Sequence, residues 1–296
     1  MLVVGVVAVV LCVRSVASRW NDAASFDLDL TPAPVLGAVL CVIAANTVLA
    51  LSWGWLLKRL GHGLGIRRTM QVWWTGQLGT YLPTGLGSVP ARFVLARRHG
   101  VPRDPLLVAT GLEPVTIVMV CGVDAALLLG GWFGVGLAAL GLVGVAAAIV
   151  AVLALARGRI GAAPMRVVVE NAVAYVAGQQ VQVLLRALGF WTLLVVVHPI
   201  ARPSLPFLLG VIGGSYFVGF LVLVAPGGLG AREAAMTALL ASHTGPTAAV
   251  AIAVLWRLLE VLIVLPSVAL SNVATRVPVG AERAARPEEG SFGPPS

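Results

Sequence analysis

Residues 203–242 read PSLPFLLGVIGGSYFVGFLVLVAPGGLGAREAAMTALLAS, an apolar half and an amphipathic half parted by Pro226-Gly227-Gly228-Leu229-Gly230. Proline removes a helix hydrogen bond and clashes with the preceding turn, and the glycines add no support, so one continuous helix does not run through this break. The same design occurs upstream. An apolar stretch from Met70 to Leu82 meets the break Pro83-Thr84-Gly85-Leu86-Gly87, and the amphipathic stretch Ser88 to His99 follows. About 13 residues on either side of that break are too few to cross a bilayer, which takes ~20. A re-entrant helical hairpin fits better. Broken backbone at membrane depth is tolerated only where protein or a water-filled cavity surrounds it.

Outward from the two breaks, the chain consists of long apolar blocks joined by short polar loops. Spans are expected at about Pro34–Leu57, Pro105–Leu129, Val135–Ala156, Asn171–Val197 and Thr247–Leu270, with a first, shorter helix from Met1 to about Val13. About six transmembrane helices and two hairpins result. The basic groups Lys58, Arg59, Arg67, Arg68 and Arg157, Arg159, Arg166 fall in loops that the positive-inside rule assigns to the cytoplasm, together with both termini. The tail 276–296 is polar and Pro-rich and reads as disordered, which leaves 1–275 as one transmembrane domain. Trp53, Trp55, Trp73, Trp74 and Tyr81 read most simply as interfacial anchors.

Composition agrees. Of 296 residues 59% are hydrophobic and 11% charged, against about 25% charged in a soluble domain. The excess of 20 Lys and Arg over 12 Asp and Glu sits mostly in the short loops. It reports orientation and gives no reason to expect nucleic acid. Cys12, Cys41 and Cys121 lie far apart in apolar stretches and read as small core residues, with neither a disulfide framework nor a metal spacing. There is no Walker A, HExxH or GxSxG pattern, and His62, His99, His198 and His243 are scattered. No metal site, catalytic residue or cofactor is expected.

The two breaks share P-x-G-L-G, and each lies between a preceding and a following span. The halves, about 33–130 and 171–271, then form a repeat. Loop charges put the first hairpin on the cytoplasmic side and the second on the outer side, so the repeat is expected to be inverted. Secondary transporters recurrently use this plan, with the substrate site near midplane where the broken helices meet.

Ionisable residues inside spans cost about 2.5–3.5 kcal/mol each on insertion scales, so they are functional candidates. Glu113 follows Pro83 by 30 residues and Arg257 follows Pro226 by 31, which suggests equivalent depths and either a pair or one shared cavity. Glu260 shares a helical face with Arg257, and the two could equally be mutually neutralising bundle glue. Asp124 returns to the Glu113 stripe unless it is simply solvated at the interface. Arg186, with Gln179, Gln180 and Gln182, gives its span a polar face suited to a cavity. Arg232 and Glu233 open the helix after the second break, where a positive helix end suits a phosphate or carboxylate. Pro114 should bend the helix beside Glu113.

Pro226-Gly227-Gly228-Leu229-Gly230-Ala231-Arg232-Glu233, followed by Leu255-Trp256-Arg257-Leu258-Leu259, resembles the lysylphosphatidylglycerol synthase transmembrane region, also called flippase-like. Tyr81-Leu82-Pro83 through Arg92 and Arg97-Arg98, then Glu113, resembles that family's first hairpin and its following acidic position. The resemblance covers roughly residues 30 to 272. Ser88 stands where the family often has an acidic residue, and Glu113-Pro114 where it often has Glu-Arg. The aminoacyl-transferase domain of some members has no counterpart in this sequence. What the resemblance implies is translocation, without catalysis, of a lipid or lipid-linked headgroup between leaflets of the cell membrane. Envelope lipid or glycan assembly is the implied setting. Arg232 and Arg257 would attract phosphate on an anionic or polyprenyl-linked lipid, while Glu113 or Glu260 would balance a cationic group or carry protons. An accessory subunit scaffolding an envelope glycosyltransferase is the alternative, and a membrane transferase using Glu113 and Asp124 ranks last.

Overall fold

A computed structural model describes residues 32–81, 87–129, 165–197, 203–221, 228 and 230–276. The first helix, the span at 135–156, the tail, and the break residues Pro83, Gly85, Pro226 and Gly227 lie outside the described residues. Eight α-helices make up the described part, joined by a 3-10 turn at Leu78–Tyr81. They are α1 (Pro32–Arg59), α2 (Ile66–Gln77), α3 (Ser88–Arg98), α4 (Arg103–Leu129), α5 (Met165–Val197), α6 (Leu205–Leu221), α7 (Ala231–Thr244) and α8 (Pro246–Arg276). Three stretches, Pro32–Arg59, Arg103–Ala126 and Pro246–Thr275, are long and apolar enough to cross a membrane. Helix α4 continues through Pro114.

Small residues let the long helices approach closely, since lipid tails supply no hydrophobic drive between helices and packing must do so. Helices α1 and α5 share the most extensive seam. There a Cβ on Gly189 would lie 2.8 Å from Cys41 Cβ and 3.2 Å from the Ala38 carbonyl oxygen, and Gly37 faces Thr192. At the other end of the seam Gly178 meets Ser52, so the two helices run antiparallel. Helices α4 and α6 pair the same way, with Gly122 on Phe217 and Gly213 on Cys121, Asp124 and Ala125.

Two antiparallel helix pairs sit against this frame. In the first, α2 and its 3-10 turn fold back on α3, where Gly79 has no room for a side chain against the Gly87 carbonyl. In the second, α6 folds back on α7. Gly228 takes φ 68°, and a Cβ there would come within 2.9 Å of Gly219 Cα. Helices of 12 and 11 residues in the first pair span only about 18 Å at 1.5 Å per residue, well under a ~30 Å hydrocarbon core.

The aromatic anchors divide. Trp55 is exposed, as an interfacial residue should be, but Trp53, Trp73 and Trp74 are buried. Trp53 and Trp73 pack on each other at 6.4 Å between ring centres, and Trp73 carries an arginine on its face. Their reading as interfacial anchors is corrected: they are core residues where α1 meets α2.

Candidate functional site

Each helix pair builds the same small assembly. In the first, Trp73-Trp74-Thr75-Gly76 lies on α2 and Arg92 on α3. A Cβ on Gly76 would fall on Arg92 Cγ, so the arginine stem lies in the gap the glycine leaves. The guanidinium then sits over the Trp73 ring at 4.1 Å and reaches Glu113 on α4. Nη1 donates at 2.5 Å and Nη2 at 2.8 Å to the two carboxylate oxygens. Nε donates to the Ser88 carbonyl at 3.2 Å. This bidentate pair is fully satisfied, and the Arg92 side chain is 0% exposed. Bidentate geometry with aromatic stacking is what a planar guanidinium does better than a lysine.

In the second pair the residues are Tyr216-Phe217-Val218-Gly219 on α6 and Arg232 on α7. A Cβ on Gly219 would fall on Arg232 Cγ. The Arg232 guanidinium stacks over Tyr216 at 3.6 Å, and its Nη2 donates to Glu260 Oε2 on α8 at 3.2 Å. Gly76 and Gly219 each stand seven residues before the break proline.

The second assembly carries more charge. Arg186 Nη1 on α5 donates to Glu260 Oε1 at 2.5 Å, and the Tyr216 hydroxyl donates to the same oxygen. Arg257 Nη1 lies 3.5 Å from Glu260 Oε2. Its Nε lies 3.3 Å from Glu233, whose other oxygen accepts the Gly230 N–H at the start of α7 at 2.6 Å. Arg186 also donates to Gln182 at 2.8 Å and to Asn46 on α1 at 3.3 Å. Three arginines thus surround one glutamate. Burying this many charges is tolerable only with near-complete pairing.

Both assemblies open on one cavity of about 140 Å³, lined among others by Gln77, Thr80 and Ser88 from the first pair and Tyr216, Gly228 and Arg232 from the second. Of the sequence-derived candidates Glu113, Arg186, Arg232, Arg257 and Glu260 line it; Glu233 braces Arg257 from behind. Gly87 and Gly228 close the two helix pairs, and Gly230 precedes α7 with φ 83°. Glu113 and Arg257 share the cavity but do not pair with each other. Asp124 is buried, 2% exposed, and accepts from Gln180 Nε2 at 3.0 Å, away from the cavity lining. Sequence reading did not single out Tyr216 or Asn46, and it named Arg92 only as part of the first hairpin's resemblance, not as a site residue. The aromatic-aromatic-x-Gly pattern at a constant distance before each break is the signal that points to Arg92 and Tyr216.

With Arg92 and Glu233 counted beside the lining residues, the assembly holds four arginines and three glutamates, an excess of one positive charge. Every carboxylate lining the cavity, among the described residues, is already held by an arginine. Gln182 Nε2 is buried there with no partner, and Gln182 lines the cavity. The site therefore favours an anion and offers hydrogen-bond donors to it.

No curated protein matches the chain. A family model does: that of the lysylphosphatidylglycerol synthase TM region, over residues 1–267. With three helices among the described residues long and apolar enough to cross a bilayer, the chain is a helical membrane protein, and it belongs to the family of the lysylphosphatidylglycerol synthase transmembrane region.

Proposed function

We propose that this protein moves a phosphate-bearing lipid or lipid-linked headgroup between membrane leaflets, acting as a transporter and not as an enzyme on that lipid. The observation that carries this reading is the cavity between the two helix pairs, where four arginines meet three glutamates and leave one positive charge in excess. A headgroup phosphate would sit against Arg232 and Arg257 with Gln182 as a further donor, while its acyl or prenyl tail stays in lipid. The idea that Glu113 or Glu260 balances a cationic headgroup loses support, because both carboxylates are engaged by arginines. The plasma membrane, and envelope lipid or glycan assembly, are the proposed setting.

In this reading the helix pairs are re-entrant hairpins of an inverted repeat. Their placement along α8 supports it. Gln71, near the start of α2, donates to Asn272 near the end of α8 at 3.0 Å, whereas α7 ends at Thr244, immediately before α8 begins. From Pro246 to Asn272 the helix rises about 39 Å, so the open ends of the two pairs lie at opposite ends of one long helix.

Purified protein in liposomes, with fluorescent anionic and polyprenyl-phosphate lipids and a leaflet-selective quencher, tests this. Translocation above protein-free liposomes is expected, slowed about tenfold or more by Arg257→Gln, as loss of a charged hydrogen-bond donor implies. No translocation of any lipid class would sink it. If an envelope glycosyltransferase co-purified instead, the accessory-subunit reading would replace it.

A further inference from the structure

We infer that the protein has a second anionic-lipid site, a surface groove at the junction of α1 and α2, separate from the central cavity. The groove encloses about 590 Å³ and is lined by Leu51, Trp55 and Lys58 from α1, Gly61, Gly63 and Gly65 from the turn, and Ile66 and Thr69 from α2. It exists because α1 and α2 touch at Gly54, where a Cβ would come 2.5 Å from Thr69 Cγ2, and splay apart through a turn with glycines at 61, 63 and 65, where a Cβ on Gly61 or Gly65 would meet nothing within 4 Å.

Its chemistry is two-sided. Leu51, Trp55 and Ile66 are exposed at 42, 38 and 71%, which in a helix of this kind is lipid-facing surface that suits an acyl chain. Beside them Lys58 lines the groove, and Arg59, Arg67 and Arg68 flank it, all four exposed. The first turn of α2 contains no acidic residue. Glu170 lies 3.7 Å from Arg59 in a half-exposed pair. A cluster of this sign beside an exposed Trp at a helix end is the charge complement of an anionic phospholipid at the membrane surface. The occupant is thus a bilayer phospholipid, with its phosphate against Lys58 and the glycine turn and one acyl chain along Leu51 and Ile66. This inference does not rest on transport.

Native mass spectrometry of the detergent-purified full chain, titrated with phosphatidylglycerol or phosphatidylcholine of identical acyl chains, tests it. Phosphatidylglycerol should be retained preferentially, and Lys58→Glu should weaken that retention at least about fivefold, because loss of one basic residue near a lipid surface is worth about that much and the new carboxylate adds repulsion. Leu51→Trp fills the groove without altering charge and should weaken it as well. Arg257→Gln, in the central cavity, should leave this binding event in place. Unchanged elution volume and helical circular dichroism certify each variant's fold. Equal retention of both lipids overturns the inference, and so does loss in Lys58→Glu with none in Leu51→Trp, which would indicate diffuse surface charge. Binding of an acidic protein to this face without any lipid preference also overturns it.

Discussion

Glu260 is the residue on which the second assembly depends. It is the one carboxylate that Arg186, Arg232 and Arg257 all approach, at 2.5, 3.2 and 3.5 Å. Removing one partner of a buried ionic group costs about 3–5 kcal/mol because the remaining charges lose their compensation. Glu260→Gln should therefore lower stability by about that amount, read as a large drop in the melting temperature of the purified protein. Pairing it with Arg186→Gln should recover part of the loss, and strictly additive losses would show that the two side chains do not interact. Glu113 differs in kind. Its pair with Arg92 is one-to-one and bidentate, so the variants Glu113→Gln and Arg92→Gln should each destabilise to a similar degree. Sequence reading reached Glu113, Arg186, Arg257 and Glu260 from the cost of charge in a span, and Arg232 with Glu233 from the helix start after the second break. It passed over Arg92 as a binding residue because Arg92 lies in an arm that also ends in Arg97 and Arg98, which are exposed, and nothing local separates an inward arginine from an outward one.

At the scale of elements, glycines decide which helices touch. Gly76 and Gly219 leave the space through which Arg92 and Arg232 reach their aromatic platforms. Gly76→Val and Gly219→Val each force the arginine stem aside. Overpacking of this kind costs about 1–3 kcal/mol, and the Gly219 variant should slow lipid translocation more, since Arg232 lines the central cavity. Equal transport by wild type and Gly219→Val would detach the cradle from function. On the α1–α5 seam, Gly189→Leu has no room against Cys41 and Ala38. That substitution should part the most extensive helix pair in the described structure and reduce the yield of monodisperse protein, measured by fluorescence-detected size exclusion. Pattern alone places the long described helices well, because apolar length is a local property. It misplaces Trp53, Trp73 and Trp74, since an aromatic near a helix end looks alike whether it faces lipid headgroups or another helix.

For the whole molecule, the proposed inverted repeat sets where the hairpin ends emerge. His99 follows α3 and His243 lies in the last turn of α7, both exposed. With Cys12, Cys41 and Cys121 replaced, single cysteines at these two positions should react with a membrane-impermeant maleimide from opposite sides of sealed vesicles. Labelling of both from one side removes the inversion and leaves the cavity without an alternating-access partner.

Hydropathy, helix breaking and the cost of charge in lipid act residue by residue, so the order of amino acids alone reads as a helical membrane protein and names most of the charges that line the cavity. Which of those charges meet is a matter of how the helices pack. Arg186 and Glu260 are 74 residues apart in sequence and Arg92 and Glu113 are 21 apart. No spacing rule fixes the packing angles and glycine gaps that bring them into contact. The physical reason is that a buried guanidinium takes whichever carboxylate the helix packing places within reach, and that packing is set by close approach at Gly76, Gly213, Gly219 and Gly189 and not by the charges themselves.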